Sequence, residues 1–167
     1  AQIAQAREAG DWATIVELAA RHPDQFTCET VFNRWALAEA RAHRDGTEAA
    51  RAVYEEILAS CPRPVDRLVT LQRAAETIGH AATWPLVQRE ARRDLEADPA
   101  AAFRQFRMAF HAAWLARAIA RGAPAAGKVP ARELEALVRA DADAERARLL
   151  GWHALEGRAY PRARRWF

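Results

Sequence analysis

The 167-residue chain holds a single lysine, Lys128, and a single serine, Ser60. That serine lies beside Cys61 with no histidine near it in sequence, which argues against a serine-hydrolase triad. Its seven glycines form no phosphate-cradling loop. The one Gly-Lys pair, in GAPAAGKVP over 122–130, lacks the first glycine at the needed spacing and the Ser or Thr that should follow. Five histidines (His22, His43, His80, His111, His153) stand apart, without HExxH or any other zinc spacing. No catalytic residue, metal or cofactor is therefore expected. No apolar run approaches the roughly 20 residues that span a bilayer. The opening AQIAQAREAG reads as an amphipathic helix rather than a signal peptide. Because the chain opens without an initiator Met, the lack of a leader carries no argument.

What is present is Ala, Arg, Leu and Glu, which together with scarce glycine favour helix nearly everywhere. With 51% hydrophobic and 28% charged residues, the chain has the composition of a soluble domain with a sizeable core. Its net charge of +3 is carried almost wholly by arginine. Arginine suits phosphate and nucleic-acid contacts. Here, however, it alternates with acids, as in REAR and RRDLE, the pattern of solvated helix faces. An Arg-rich, Lys-poor composition also reflects a GC-rich genome.

Punctuation divides the chain into about nine helices and no strand. A first helix ends at Gly10, and Asp11 caps a second that runs to Arg21 before His22-Pro23. Glu29–Arg44 presents Val31, Phe32, Trp35, Leu37 and Ala38 on an apolar face. After Asp45-Gly46, Thr47–Ser60 turns Ala50, Tyr54, Ile57 and Leu58 inward, with Pro62 just beyond. Pro64 opens Val65–Ile78, and Thr83 is placed to cap Trp84–Ala97. Ala100–Arg121 carries Phe103, Phe106, Phe110, Trp114, Leu115 and Ile119, a stripe that reads as core rather than a cofactor box. A loop over Gly122–Pro130 precedes Ala131–Ala140, and Asp141 opens the run into LLGWHALEGRAYPRARRWF.

These residues resemble the tetratricopeptide repeat, a helical hairpin of about 34 residues. Leu37-Ala38, Ala50, Tyr54 and Pro62 match its Leu-small pair, small residue, aromatic and closing proline. Leu150-Gly151, Tyr160, Ala163 and Phe167 match a second copy, and Leu95–Pro99 is similar to a repeat's ending. Two departures stand out: Arg34 occupies the tryptophan-type position, with Trp35 one residue later, and Ile57 replaces the usual alanine. The resemblance implies an all-α, right-handed solenoid of antiparallel helical hairpins forming one domain over 1–167. Clear repeats fall near 31–62 and 144–167, with a divergent stretch over 63–143. Both ends fall partway through a repeat, as in a piece of a longer repeat protein. In the family, the first helix of each hairpin lines a concave groove for partner segments. Carried over by repeat position, Phe32, Trp35, Glu39, His43, Arg148 and Trp152 would face it. The alternative is that both tryptophans simply pack between repeats.

Cys28 lies just before one helix and Cys61 just after its antiparallel partner, so both fall at the same end of the hairpin. A bridge there would clamp one repeat and imply an oxidising compartment such as the bacterial periplasm. Two buried free thiols are the alternative. FNRWALAEA with the paired cysteines, and the C-terminal stretch, are similar to periplasmic repeat proteins of bacterial exopolysaccharide (cellulose-type) synthesis and export. The expected function is a non-enzymatic scaffold that docks a protein partner in its groove, with polysaccharide as a second candidate ligand. Nucleic acid is the less favoured partner. The rival readings are a cytoplasmic regulator binding nucleic acid or protein, and the accessory repeat domain of a larger enzyme.

Overall fold

High helix propensity broken only by Gly, Pro and Asp turns produces an all-α protein of ten α-helices and one short 3-10 turn, with no strand among the described residues. The computed structural model describes residues 2–96 and 101–167, with side chains for 2–93 and 102–167. Ala97–Pro99, the end of the stretch read above as a repeat terminus, lies outside the described residues. The chain divides into two compact units, Ala1–Arg93 and Asp94–Phe167.

The first unit contains α1 (Gln2–Glu8), α2 (Trp12–Arg21), α3 (Val31–Asp45), α4 (Thr47–Ser60), α5 (Pro64–Thr77) and most of α6 (His80–Glu96). Gly10, at φ +67°, makes the first turn in the left-handed region where glycine is favoured. Asp11 then caps α2, accepting from Thr14 N–H at 3.1 Å and from the Thr14 hydroxyl at 2.6 Å. Helices α1 to α5 each pack on their sequence neighbour, and α1, α3 and α5 also pack in succession. Ile15, Val31, Ala38, Tyr54, Ile57, Leu58, Leu71 and Leu86 form the dry interior. Helix α6 is tied to α5 by the Arg67–Glu90 ion pair. It reaches α4 through Arg89 to Glu55 at 3.4 Å and through Arg93, which donates to the Leu58 carbonyl at 3.1 Å.

Thr83 does not cap α6. The helix begins three residues earlier, at His80, because Gly79 turns the chain at φ +82°. The buried Thr83 hydroxyl donates back to the Gly79 carbonyl at 2.8 Å, as hydroxyls inside helices do. Pro85 therefore lies inside the helix, which loses one backbone hydrogen bond there.

The second unit contains α7 (Ala101–Ala120), α8 (Lys128–Asp141), α9 (Ala144–Glu156) and the four-residue α10 (Tyr160–Ala163). Met108, Leu115, Leu134, Leu137, Val138 and Leu150 make its core, where α7, α8 and α9 meet. Along α7, Phe103, Phe106, Phe110 and Trp114 form a ladder of rings 5.9–6.1 Å apart. The loop ends at Gly127 rather than Pro130, since Pro130 is accommodated in the first turn of α8. Asp143 caps α9 by accepting from Arg146 N–H at 2.9 Å. Among the described residues no helix is long and apolar enough to cross a membrane.

Candidate functional site

A helix side chain i is followed on the same face by i+4 and i+8, so Trp35, Glu39 and His43 share one stripe of α3. In the structure that stripe forms the wall of a cleft of about 420 Å³. Arg7 of α1 closes one side, Arg73, Glu76 and Thr77 of α5 the other, and Ala42 and Tyr54 complete the lining. Every lining residue belongs to the first unit.

Trp35 is only 6% exposed, so its ring is wall rather than a protruding anchor. Its indole N–H donates to the Thr70 hydroxyl at 2.9 Å, and Thr70 in turn donates to the Asp66 carbonyl at 2.6 Å. The Arg73 guanidinium lies over the Trp35 ring, 4.9 Å from the centroid, a cation–π contact worth about 0.5–2 kcal/mol. Arg73 Nε is buried, with no hydrogen-bond partner among the described residues. Glu39 is engaged by Arg7 at 2.6 Å, an ion pair that links α1 to α3. His43 stacks flat on Trp12 of α2, with centroids 4.4 Å apart. The buried Tyr54 hydroxyl donates to the Thr77 hydroxyl at 3.0 Å. Burial pushes the Tyr54 phenol above its ordinary value, opposed by that hydrogen bond.

Phe32 is 70% exposed at the edge of this stripe, its ring meeting Trp35 edge-on at 5.1 Å. Arg148 and Trp152 lie in the second unit, both exposed, and Trp152 meets the Phe167 ring edge-on at 5.6 Å. Arg7, Trp12, Arg73, Glu76 and Thr77 were not named from the sequence, and Tyr54 was named there only as a core and repeat residue. A signal for three of them existed: Arg73, Glu76 and Thr77 stand 34 positions beyond Glu39, Ala42 and His43.

At the hairpin end, the Cys28 and Cys61 sulfurs are joined, at 2.10 Å, with Cα atoms 5.3 Å apart. Cys61 is buried and Cys28 half-buried. Elsewhere, His153 meets the Pro124 carbonyl at 3.0 Å, and His80 and His111 are buried. Among the described residues no three His, Cys, Asp or Glu side chains converge as a metal site would require. The cleft thus offers a flat aromatic wall, fixed charges of both signs and a donor with no acceptor among the described residues. Such groups can hold a ligand by stacking, ion pairing and hydrogen bonding. No family model, curated protein or solved structure matches this chain.

Proposed function

We propose that the protein is a non-enzymatic scaffold of tetratricopeptide-like hairpins, whose first unit docks an extended segment of a partner protein in the α1–α3–α5 cleft. The observation that carries this reading is the recurrence of the lining. Glu39, Ala42 and His43 on α3 are answered 34 positions later by Arg73, Glu76 and Thr77 on α5. Helix starts keep a similar period, with Trp12, Thr47 and His80 spaced by 35 and 33 residues. Stacked hairpins of this length bury their faces only against neighbours, which leaves a continuous inner surface for a ligand.

The chemistry of the cleft supports a peptide. A buried donor without an acceptor is unfavourable by about 1–3 kcal/mol, and a backbone carbonyl reaching Arg73 would relieve it. Arginine and aromatic side chains also dominate binding energy at protein interfaces. A sugar chain could use the same groups, and it is the second ligand class. The Cys28–Cys61 pairing favours an oxidising compartment, in keeping with a periplasmic role in exopolysaccharide (cellulose-type) export. Arginine in the described residues is spread over many ion pairs rather than gathered in one stripe, which disfavours a nucleic-acid role.

The test is site-specific photocrosslinking in the native host, with Ala42→p-benzoylphenylalanine inside the cleft and Ala13→p-benzoylphenylalanine as a surface control. A discrete protein adduct from Ala42 alone, lost in Arg73→Glu with the helical signal intact, is expected. An adduct pattern shared by both sites and indifferent to Arg73→Glu overturns the docking assignment. Soluble cello-oligosaccharides that shift tryptophan emission without any protein adduct would transfer the cleft to the sugar reading.

A further inference from the structure

Arg34 stands where the repeat pattern places a tryptophan, and the cleft makes no use of it. It is only 7% exposed. Its Nη1 donates to the Ser60 hydroxyl at 2.7 Å and faces the Cys61 sulfur at 3.3 Å and the Cys28 sulfur at 3.6 Å. Ser60 is held in turn, donating to the Glu56 carbonyl at 2.7 Å. A buried guanidinium aimed at two neutral sulfurs gains little from them. It gains a great deal from a thiolate.

We propose that Cys28–Cys61 is an exchangeable disulfide: Cys28 is the sulfur that accepts an incoming thiolate, and Cys61 is the leaving group, received as a thiolate by Arg34. In the step, a reductant thiolate forms a new S–S bond to Cys28 while the Cys28–Cys61 bond breaks, and its electron pair departs on Cys61. A second reductant thiol resolves the mixed disulfide, leaving Cys28 as thiol or thiolate and the reductant oxidised. The ligand class is a dithiol, such as the reduced active site of a thiol oxidoreductase.

Two features assign the direction of attack. Cys28 is half-buried while Cys61 is 1% exposed, so only Cys28 can be approached. The guanidinium lies nearer Cys61, and a lower leaving-thiol pKa speeds exchange. The Cys28 loop also holds itself together without the bridge. Thr30 and Asn33 side chains each donate to the Gln25 carbonyl at 2.7 Å, and Thr27 N–H donates to the Thr30 hydroxyl at 3.1 Å. Reduction therefore releases a clamp rather than unfolding the hairpin. Of the neighbouring charges, Glu56 lies 3.4 Å from Arg34 but is 74% exposed, and Glu29, next to Cys28 in the chain, is exposed. Arg63 pairs with Asp66 at 2.6 Å and donates to the Cys28 carbonyl at 3.4 Å. Cys61 also ends α4, whose C-terminal dipole opposes a thiolate. Arg34 is the buried positive charge that must outweigh it.

The experiment compares wild type, Arg34→Gln and Arg34→Lys. Reduction by dithiothreitol is followed at several pH values, and thiolate absorbance is titrated in the Cys28→Ser background. Arg34→Gln should slow reduction several-fold and lower the Cys61 thiolate fraction at neutral pH about tenfold, as a thiol pKa raised by about one does. Arg34→Lys, which keeps the charge, should recover most of both. Glutathione mixed disulfides trapped on the wild type should map to Cys28. Mapping to Cys61, or a Cys61 titration unmoved by Arg34→Gln in a protein with native helical signal, overturns the proposal. If Arg34→Gln fails to fold, the Cys28→Ser titration decides alone, with Cys61 expected below the ordinary cysteine value of about 8.5.

Discussion

Asp11 and Asp143 each close a helix start by accepting a backbone N–H three residues on, and each is held below the ordinary carboxylate value of 3.8. For Asp11 the Thr14 hydroxyl is the main cause and the Thr14 backbone N–H the second. For Asp143 the Arg146 backbone N–H leads. A carboxylate with a lowered native pKa contributes stability that is present above 3.8 and is lost as pH falls through the lower native value. The melting temperature should therefore drop on acidification below about pH 4. In the Asp11→Asn/Asp143→Asn double variant, which keeps capping oxygens without the charge, that drop should be shallower in a thermal scan against pH. An acid limb identical in wild type and variant would show that other groups govern it. The Asp11 cap was visible in the sequence as an Asp before an apolar period, because capping is a contact between residues three apart. For the later helix the sequence pointed to Asp141, which is the last residue of α8, and the cap is Asp143, two positions on.

Between elements, the ties are single polar contacts laid over apolar seams. Glu90 is buried on α6, and Arg67 of α5 is its closest counter-charge, with Arg93 3.8 Å away. Removing one member of a buried pair strands the other, so Arg67→Met should lower unfolding free energy by about 3 kcal/mol. Adding Glu90→Leu should recover most of the loss, and urea midpoints of the two variants measure both effects. In the second unit, Gly127 lies under the His153 ring: a Cβ there would sit 2.6 Å from Nε2. Gly127→Ala should displace His153 from the Pro124 carbonyl, seen as a shift of the His153 imidazole resonances, with α8 still folded. None of this was legible in the sequence. Helix α6 was expected from Trp84 because Thr83 looks like a cap, yet Gly79 at positive φ made an earlier start available. Arg67 and Glu90 carry no local mark of partnership, since their meeting depends on the crossing of α5 and α6.

For the molecule as a whole, the Cys28–Cys61 linkage closes a loop with a sequence separation of 33 residues, worth about 3–4 kcal/mol by loop entropy. Protein taken from its own host and alkylated while denatured should have both thiols blocked only after reduction, read as a mass difference. Two thiols that alkylate without reduction would remove the oxidising-compartment argument. Reduction should speed hydrogen exchange around the Cys28 loop and the end of α4, and leave α8 and α9 unchanged.

Helix positions, turns and the apolar stripes that become core were readable in the one-dimensional chain. Each rests on interactions within four residues: propensity, capping, and the φ demands of Gly and Pro. Three residues of the cleft stripe, Trp35, Glu39 and His43, were reached through the repeat resemblance, by carry-over of repeat position, and their i, i+4, i+8 spacing places them on one helix face. Folding alone brought Arg73 over Trp35, His43 onto Trp12 and Arg34 against the two sulfurs. Those meetings depend on how far and at what angle helices from distant parts of the chain approach, and no local pattern encodes that distance.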